Sequence, residues 1–152
     1  MALWTVYLSL GLLVALNASV ETRPVVPSCE EGWAYFECRC FKFFNINSSW
    51  DGAEFGCLSN KGNLASVHNH DEYVFIQNLI TQTTQQSTRT WIGGHKGYYR
   101  WFWSDGTKMD YEIWSPVQPS NGTYELCVEM NSDDGNWNDV NCREVLPYVC
   151  VK

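Results

Sequence analysis

Residues 48–80 have the sequence SSWDGAEFGCLSNKGNLASVHNHDEYVFIQNLI, and two helix patterns within this stretch decide the fold class. In the first pattern, a serine suited to capping a helix, Ser48 or Ser49, stands just before the first apolar residue. The Lys61-Gly62 pair ends the pattern, because glycine tolerates the backbone that follows a helix. The stretch predicts a short amphipathic helix whose apolar residues are Trp50, Ala53, Phe55, Cys57 and Leu58.

The second pattern begins at Asn69 or His70. Asp71 and Glu72 follow, and their negative charges favour the N-terminus of a helix. Apolar residues then recur at helical spacing. This spacing predicts a second helix with an apolar stripe made of Tyr73, Phe75, Ile76, Leu79 and Ile80.

The segments around the two helices predict a sheet. NLASV, residues 63–67, is interpreted as a short buried strand or turn, and TQTTQQSTRT, residues 81–90, as a polar connector. From Trp91 onward, short aromatic and β-branched runs alternate with Gly, Asp and Pro, which is typical of strands joined by loops. Two helices followed by a loop-rich sheet predict an α+β domain.

The N-terminal residues predict export of the protein. No charged side chain precedes Glu21, and the apolar run from Val6 to Leu16 has the length of a secretory signal rather than of a membrane span. We expect a signal peptide over residues 1–20, with the cleaved bond left open, then a short segment 21–28 and one domain over 29–152. A buried core helix is the alternative, but the position at the N-terminus favours export.

The charge balance excludes several kinds of partner. The formal net charge is -7, whereas nucleic acid requires a basic surface. The same charge gives no reason to expect binding to anionic membranes, and no segment after the leader is apolar for long enough to insert into a bilayer. We expect neither nucleic acid nor membrane insertion.

Seven cysteines in an exported chain predict disulfides. Cys38 and Cys40 would point to the same face of a strand, so either could reach Cys29. An odd count leaves one thiol, which could bridge two chains. Zinc is the rival use, but the chain has no CxxC pair. The cysteines are Cys29, Cys38, Cys40, Cys57, Cys127, Cys142 and Cys150.

The segment WSPVQPSNGTYELC, residues 114–127, is rich in side-chain oxygens. Gln118, Ser120, Asn121 and Glu125 lie within a few residues of one another. Two prolines, a glycine and a Ser-Asn pair exclude a helix here. The segment is therefore either an ordinary solvated loop or a cage for a hard cation.

Several motifs in register resemble the C-type lectin-like domain. They are CEEGWAYFECRCFKF, GNLASVHNHDEYVFI, WIGG, FWSDGT, ELCVEM, GNWNDVNC and PYVC, and they extend from Cys29 to Cys150. The chain is most similar to small secreted fish lectins of the ladderlectin and nattectin type, a group that also resembles the type II ice-binding proteins. The resemblance implies three disulfides, Cys29-Cys40, Cys57-Cys150 and Cys127-Cys142, and leaves Cys38 free or available to link subunits.

The resemblance also implies a calcium site, which we call the cage: Gln118, Ser120, Glu125, Asn138 and Asp139. Family members that bind sugar have Asn or Asp where this chain has Ser120, and the loop is about one residue short, so Asn121 is the alternative at that position. Calcium prefers six to eight oxygens from carboxylates, amides, backbone and water. Leu126 stands where members with an auxiliary site often have an acid. We therefore expect one calcium ion at most.

Sugar binding would use the same ion. In the family, a Gln-first triplet accompanies galactose-like sugars, so Gln118 favours galactose. The implied sugar contacts are Gln118, Ser120, Glu125, Asn138, Asp139 and Tyr124, with Tyr124 or Trp137 covering the apolar side of the sugar. For Trp137 we favour core packing. Two sequons, at Asn47 and Asn121, follow the leader, and a glycan on Asn121 would crowd the cage.

The resemblance thus implies a secreted, calcium-dependent glycan-binding lectin with a role in innate recognition of microbes. A single shallow site binds weakly, so we expect several sites per particle, with Cys38 as a candidate link between subunits. The alternatives are recognition of a protein partner and, with less support, ice binding. His68, His70 and His95 have no nucleophile beside them, and Glu125 and Asp139 are better explained as ligands than as a hydrolase pair, so we expect no enzyme.

Overall fold

The computed structural model describes residues 28–132 and 134–152 of the chain. The expected signal peptide and most of the segment 21–28 lie outside the described residues. The strands are β1 (Ala34–Phe36), β2 (Arg39–Ser48), β3 (Asn63–Leu64), β4 (Thr90–Lys96), β5 (Trp101–Trp103), β6 (Glu125–Met130), β7 (Asn138–Asn141) and β8 (Leu146–Val151). The helices are α1 (Trp50–Ser59) and α2 (His70–Thr84), which makes an α+β domain as expected.

Helix α1 begins after Ser49, whose side chain accepts a hydrogen bond from the Gly52 amide. Trp50, Ala53 and Cys57 are buried, as the pattern predicts. The expected apolar face is wrong at two positions, because the Phe55 and Leu58 side chains are 72% and 54% exposed. A helix of ten residues presents only one narrow face to the sheet, and these two side chains lie outside it.

Helix α2 begins after Asn69, which accepts from the Glu72 amide at 2.8 Å. Its buried residues include Tyr73, Ile76 and Ile80, in agreement with the predicted stripe. The helix continues through Thr84, so the first four residues of the predicted polar connector are helical. Hydrogen bonds within the helix outweigh the modest helix propensity of these threonines.

The strands form one sheet in the order β1-β2-β8-β4-β6-β7, with β3 paired to β8 and β5 paired to β4. All pairs are antiparallel except β4 with β8, which confirms a mainly antiparallel sheet. Two apolar cores pack against it, one beneath α2 that includes Ile76 and Trp137, and one beneath α1 that includes Trp50 and Trp91. In the described part of the chain, no helix is both long and apolar enough to cross a membrane.

Three disulfides close the domain: Cys29–Cys40, Cys57–Cys150 and Cys127–Cys142. These are the pairs that the resemblance implies. Cys38 is free and exposed. It does not share a strand face with Cys40, contrary to the expectation from spacing, because Glu37 and Cys38 form the turn between β1 and β2 with φ of 45° and 63°. Positive φ at both central positions is the geometry of a type I′ hairpin turn, and in it the Cys38 thiol accepts from the Tyr35 hydroxyl while Cys40 pairs with Cys29.

Candidate functional site

The loop between β5 and β6, residues 104–124, is attached to the strand end beside Asn138. We call it the long loop. The amide of Ser115 donates to the Trp137 carbonyl at 2.8 Å, and the Trp137 amide donates to Ile113 at 2.9 Å. This short parallel pairing brings the oxygen-rich part of the long loop next to Asn138 and Asp139, which begin β7.

The Trp137 side chain is the apolar support for this attachment. It is fully buried, and its ring makes edge contacts with Trp103, Tyr111 and Trp114 at centroid distances of 5.4, 5.9 and 5.9 Å. Two of these three rings belong to the long loop. Trp137 is therefore a core residue, as favoured from the sequence, and it does not face a sugar.

Three of the cage residues form a hydrogen-bonded group. The Asp139 carboxylate is 1% exposed and accepts from the Ser120 amide at 2.7 Å and the Asn121 amide at 3.0 Å. The Ser120 hydroxyl donates to Glu125 and also lies 3.4 Å from the Asp139 carboxylate. Two negative charges thus lie on either side of one hydroxyl at the tip of the long loop.

The two amide residues of the cage, Gln118 and Asn138, form a second group. They line one surface cavity of about 370 Å³ together with Ser115, Pro116, Ser132 and Asp134. Gln118 Oε1 and Asn138 Oδ1 are buried, and neither has a hydrogen-bond partner among the described residues. A buried carbonyl oxygen without a partner costs free energy, so two of them on one cavity indicate a site built to face a cation or a donor.

The structure distinguishes Ser120 from its alternative, Asn121. The Asn121 side chain turns away from the carboxylates: its oxygen accepts from Lys96, and its nitrogen donates to the Pro119 carbonyl at 2.9 Å. The Gln118-Pro119 bond is cis. Ser120, and not Asn121, therefore brings its side-chain oxygen to Glu125 and Asp139.

Tyr124 lies apart from the amide pair. Its side chain is 76% exposed and lines a different cavity, beside Asp51 of α1 and Arg143. An exposed ring at the end of the long loop is available to a ligand, but it does not share the cavity of Gln118 and Asn138.

The sequence patterns did not single out two acidic residues near the cage: Glu129, which lies behind it, and Asp134, which lies on the rim of the cavity. Glu129 of β6 is fully buried; its carboxylate binds Arg89 at 2.7 Å and accepts from the Asn138 amide nitrogen at 3.1 Å. The sequence signal was an acid among the apolar residues of the second half of β6. On the cavity rim, the Ser115 hydroxyl donates to Asp134 at 2.6 Å and holds the pKa of that carboxyl below its usual value.

The donor set suits calcium. Two carboxylates, two amide oxygens and one hydroxyl are all hard oxygen ligands, and the backbone carbonyl of Asp139 would raise the number to six. Magnesium requires a rigid octahedron, which a loop of this kind does not provide. Within the described residues no group of three or more His, Cys, Asp or Glu side chains could hold a metal ion, so such a site depends on the neutral oxygens of Gln118, Asn138 and Ser120.

Comparison with known proteins gives consistent matches. The model of the lectin C-type domain matches residues 46–152. The galactose-specific lectin nattectin of Thalassophryne nattereri is 38% identical over 152 residues, covering 98% of this chain and 95% of that protein. Ladderlectin of Oncorhynchus mykiss is 42% identical over 141 residues, covering 87% and 74%. The structure of herring type II antifreeze protein superposes with a TM-score of 0.76 at 35% identity, covering 82% of this chain and 98% of that one.

Proposed function

This chain belongs to the family of C-type lectin domains, and on that premise we propose that it is a calcium-dependent lectin that prefers galactose-like sugars. Its relatives are lectins and antifreeze proteins rather than enzymes, so the expectation that the chain is not an enzyme is confirmed. The observation that supports the calcium site is the pair of buried carbonyl oxygens on Gln118 and Asn138 that lack a hydrogen-bond partner.

Calcium would supply a positive centre that attracts these oxygens and two hydroxyls of a sugar. Gln118, Ser120, Glu125, Asn138 and Asp139 would hold the ion. The Gln118 amide nitrogen would donate to a sugar hydroxyl, and the carboxylates would accept from the hydroxyls. With two formal negative charges the site is of the extracellular kind, with a Kd of roughly 0.1 to 1 mM.

The preference for galactose rests on two observations. Gln118 is the first residue of the triplet in the long loop, and a relative that is 38% identical over the full domain is described as galactose-specific. Donor and acceptor positions around the ion select the arrangement of sugar hydroxyls, so an amide at this position favours a different sugar from a carboxylate. Tyr124 supplies an exposed ring for the apolar side of a bound saccharide.

We also propose secretion, with a signal peptide over residues 1–20, a short segment 21–28 and the lectin domain over 29–152. Three disulfides are consistent with an oxidising compartment. Recognition of microbial glycans would require several weak sites on one particle, and the exposed Cys38 thiol is suited to link two copies.

Affinity columns test the sugar and the ion together. The parent protein is loaded on galactose-agarose and mannose-agarose in calcium and eluted with a chelator. We expect retention on galactose with release by the chelator, and passage through both columns would instead favour recognition of a protein partner. Glu125→Gln should pass through, whereas Glu144→Gln, the same change at an exposed position outside the cage, should be retained.

The sequon at Asn121 provides a second test of the lectin proposal. The Asn121 amide nitrogen, to which a glycan would attach, donates to the Pro119 carbonyl beside the cage. We expect this sequon to be unmodified in the secreted protein, in contrast to Asn47, which lies on β2. Intact-mass analysis that found full modification of Asn121 would contradict sugar binding at this loop.

Ice binding is the second candidate function. It is favoured by the herring antifreeze structure, which is 35% identical and covers 82% of this chain. Residues Thr81–Thr84 lie on the last turn of α2 rather than on a flat face with regular spacing, which argues against the threonine-rich segment as an ice-binding surface. Thermal hysteresis of the purified protein, measured with and without calcium, separates the two candidates.

A further inference from the structure

Asn138 is held by a buried ion pair on the strand next to its own. Glu129 of β6 lies directly opposite Asn138 of β7 in the sheet register. Its side chain is fully buried, and one carboxylate oxygen accepts from the Asn138 amide nitrogen at 3.1 Å. The other oxygen binds Arg89, with the Nε and Nη2 atoms at 2.8 and 2.7 Å.

The Glu129 carboxylate decides which end of the Asn138 side-chain amide faces it. A carboxylate only accepts hydrogen bonds, so it binds the nitrogen end of the amide and turns the oxygen end away. The turned oxygen is Oδ1, the buried atom that has no partner among the described residues. Arg89 stabilises this arrangement, because a buried carboxylate without a counter-ion would be strongly unfavourable.

We propose that Glu129 and Arg89 form a positioning pair that presents the Asn138 oxygen to the cation. This inference rests on the proposed calcium site and adds two residues to its machinery. Arg89 lies just before β4 and, in the contacts of the described residues, is connected to the cage through Glu129.

Glu129→Gln is the direct test. A glutamine of the same shape can offer its own amide nitrogen to the Asn138 oxygen, which would reverse the Asn138 amide and remove one ligand. We expect calcium affinity, measured by isothermal titration calorimetry on the folded protein, to fall about 10- to 100-fold, as is usual when the partner of a metal ligand is lost.

Glu72→Gln is the matched control. Glu72 is also a buried carboxylate paired with an arginine, 2% exposed and 2.6 Å from Arg39, but its contacts lie at the start of α2. Both variants should lose stability, since each removes a buried carboxylate that binds an arginine. Only Glu129→Gln should lose calcium affinity, and an equal loss in both variants would assign Glu129 a purely structural role.

Two further measurements keep the test decisive. In calcium-free protein, the side-chain amide resonances of Asn138 should shift in Glu129→Gln and stay in place in Glu72→Gln. Should Glu129→Gln fail to fold, Arg89→Lys replaces it, because lysine keeps a positive charge beside the buried Glu129 carboxylate but cannot bind it through two nitrogen atoms. We expect Arg89→Lys to weaken calcium binding several-fold, because the carboxylate that holds the Asn138 amide is then less firmly placed.

The outcomes separate this inference from the proposed function. A parent protein that binds no calcium overturns the proposed function and the positioning pair together. A parent that binds calcium, with Glu129→Gln and Arg89→Lys binding equally well and the Asn138 resonances unmoved, overturns the positioning pair alone.

Discussion

The helix-and-sheet body and the long loop, residues 104–124, are held in place by different forces. The body buries two apolar cores and is closed by disulfides, including Cys57–Cys150, which joins α1 to β8. The long loop is attached by one short backbone pairing, at Trp114 and Trp137, and by the packing of its Tyr111 and Trp114 rings on Trp137, whereas its tip depends on single polar contacts. Val117 at its tip is 93% exposed.

The difference shows where function can change without loss of the fold. Apolar burial is spread over many side chains. The body therefore keeps its fold when one core side chain is replaced by another apolar side chain of similar volume. The loop contacts each depend on one donor and one acceptor, so replacing Ser120 or Asp139 alters the site while the body stays folded. A scaffold of this kind is compatible with relatives named as lectins and as antifreeze proteins.

The largest effect should come from opening the body. Replacing Cys57 and Cys150 together by Ser releases a closure with a sequence separation of 93 residues. The chain-entropy model predicts a loss of about 4 to 5 kcal/mol in the free energy of unfolding. Guanidinium denaturation measures the loss, and Cys38→Ser, at an exposed free thiol, should leave the midpoint unchanged. Equal effects of the two changes would contradict the assigned pairing.

The next largest loss of stability should distinguish two aromatic residues of the site region, Trp137 and Tyr124. Trp137→Ala should destabilise the protein by about 3 to 5 kcal/mol, because the ring is fully buried and supports the long loop. Tyr124→Ala should change stability by about 0.5 kcal/mol or less, because the ring is 76% exposed. Thermal unfolding compares them. A destabilisation by Tyr124→Ala as large as that by Trp137→Ala would show that the loop tip is part of the core.

Calcium should stabilise the protein through the long loop. At about 10 mM calcium, a site with a Kd of roughly 0.1 to 1 mM adds about 1.4 to 2.7 kcal/mol to the free energy of unfolding. Asp139→Asn should abolish this increment, and Asp51→Asn, an exposed residue in the first turn of α1, should retain it. Chemical denaturation with calcium or chelator measures the increment, and its survival in Asp139→Asn would exclude this carboxylate as a ligand.

The smallest effect concerns a contact within the body, between α2 and the turn that precedes Trp137. Burial raises the pKa of Tyr73 from 10.0 to about 12. Its hydroxyl donates to the Gly135 carbonyl at 2.5 Å, which ties α2 to the turn before Trp137. Because the folded-state pKa is raised, the stabilisation is complete below about pH 10 and is lost as the pH rises through 12.

Denaturation at a series of pH values checks this sign. From roughly pH 9 to 12, the parent should lose stability more steeply than Tyr73→Phe, which has no phenol to ionise. Parallel curves for the two proteins would mean that the Tyr73 hydroxyl is as solvated in the folded chain as in the unfolded one.

Helix positions followed from the sequence because capping and apolar spacing are local. Asn69 and the stripe of α2 are where the pattern predicts, whereas the outward direction of Phe55 and Leu58 depends on how α1 meets the sheet. The position of Cys38 in a turn depends likewise on the pairing of β1 with β2, which spacing alone does not specify.

The sequence by itself determined the α+β class, the two helix starts, the family resemblance with its disulfide pairs, and the set of oxygen-bearing residues that could serve calcium. Those features depend on residue type and short-range spacing. Only the tertiary structure decided that the side-chain oxygen of Ser120, rather than that of Asn121, lies at the carboxylates and that Asn138 is held by Glu129, which Arg89 binds in turn. The contacts of Ser120 with Asp139 and of Arg89 with Glu129 join residues 19 and 40 positions apart. The direction of all these contacts is set by which groups donate and accept once the strands are paired.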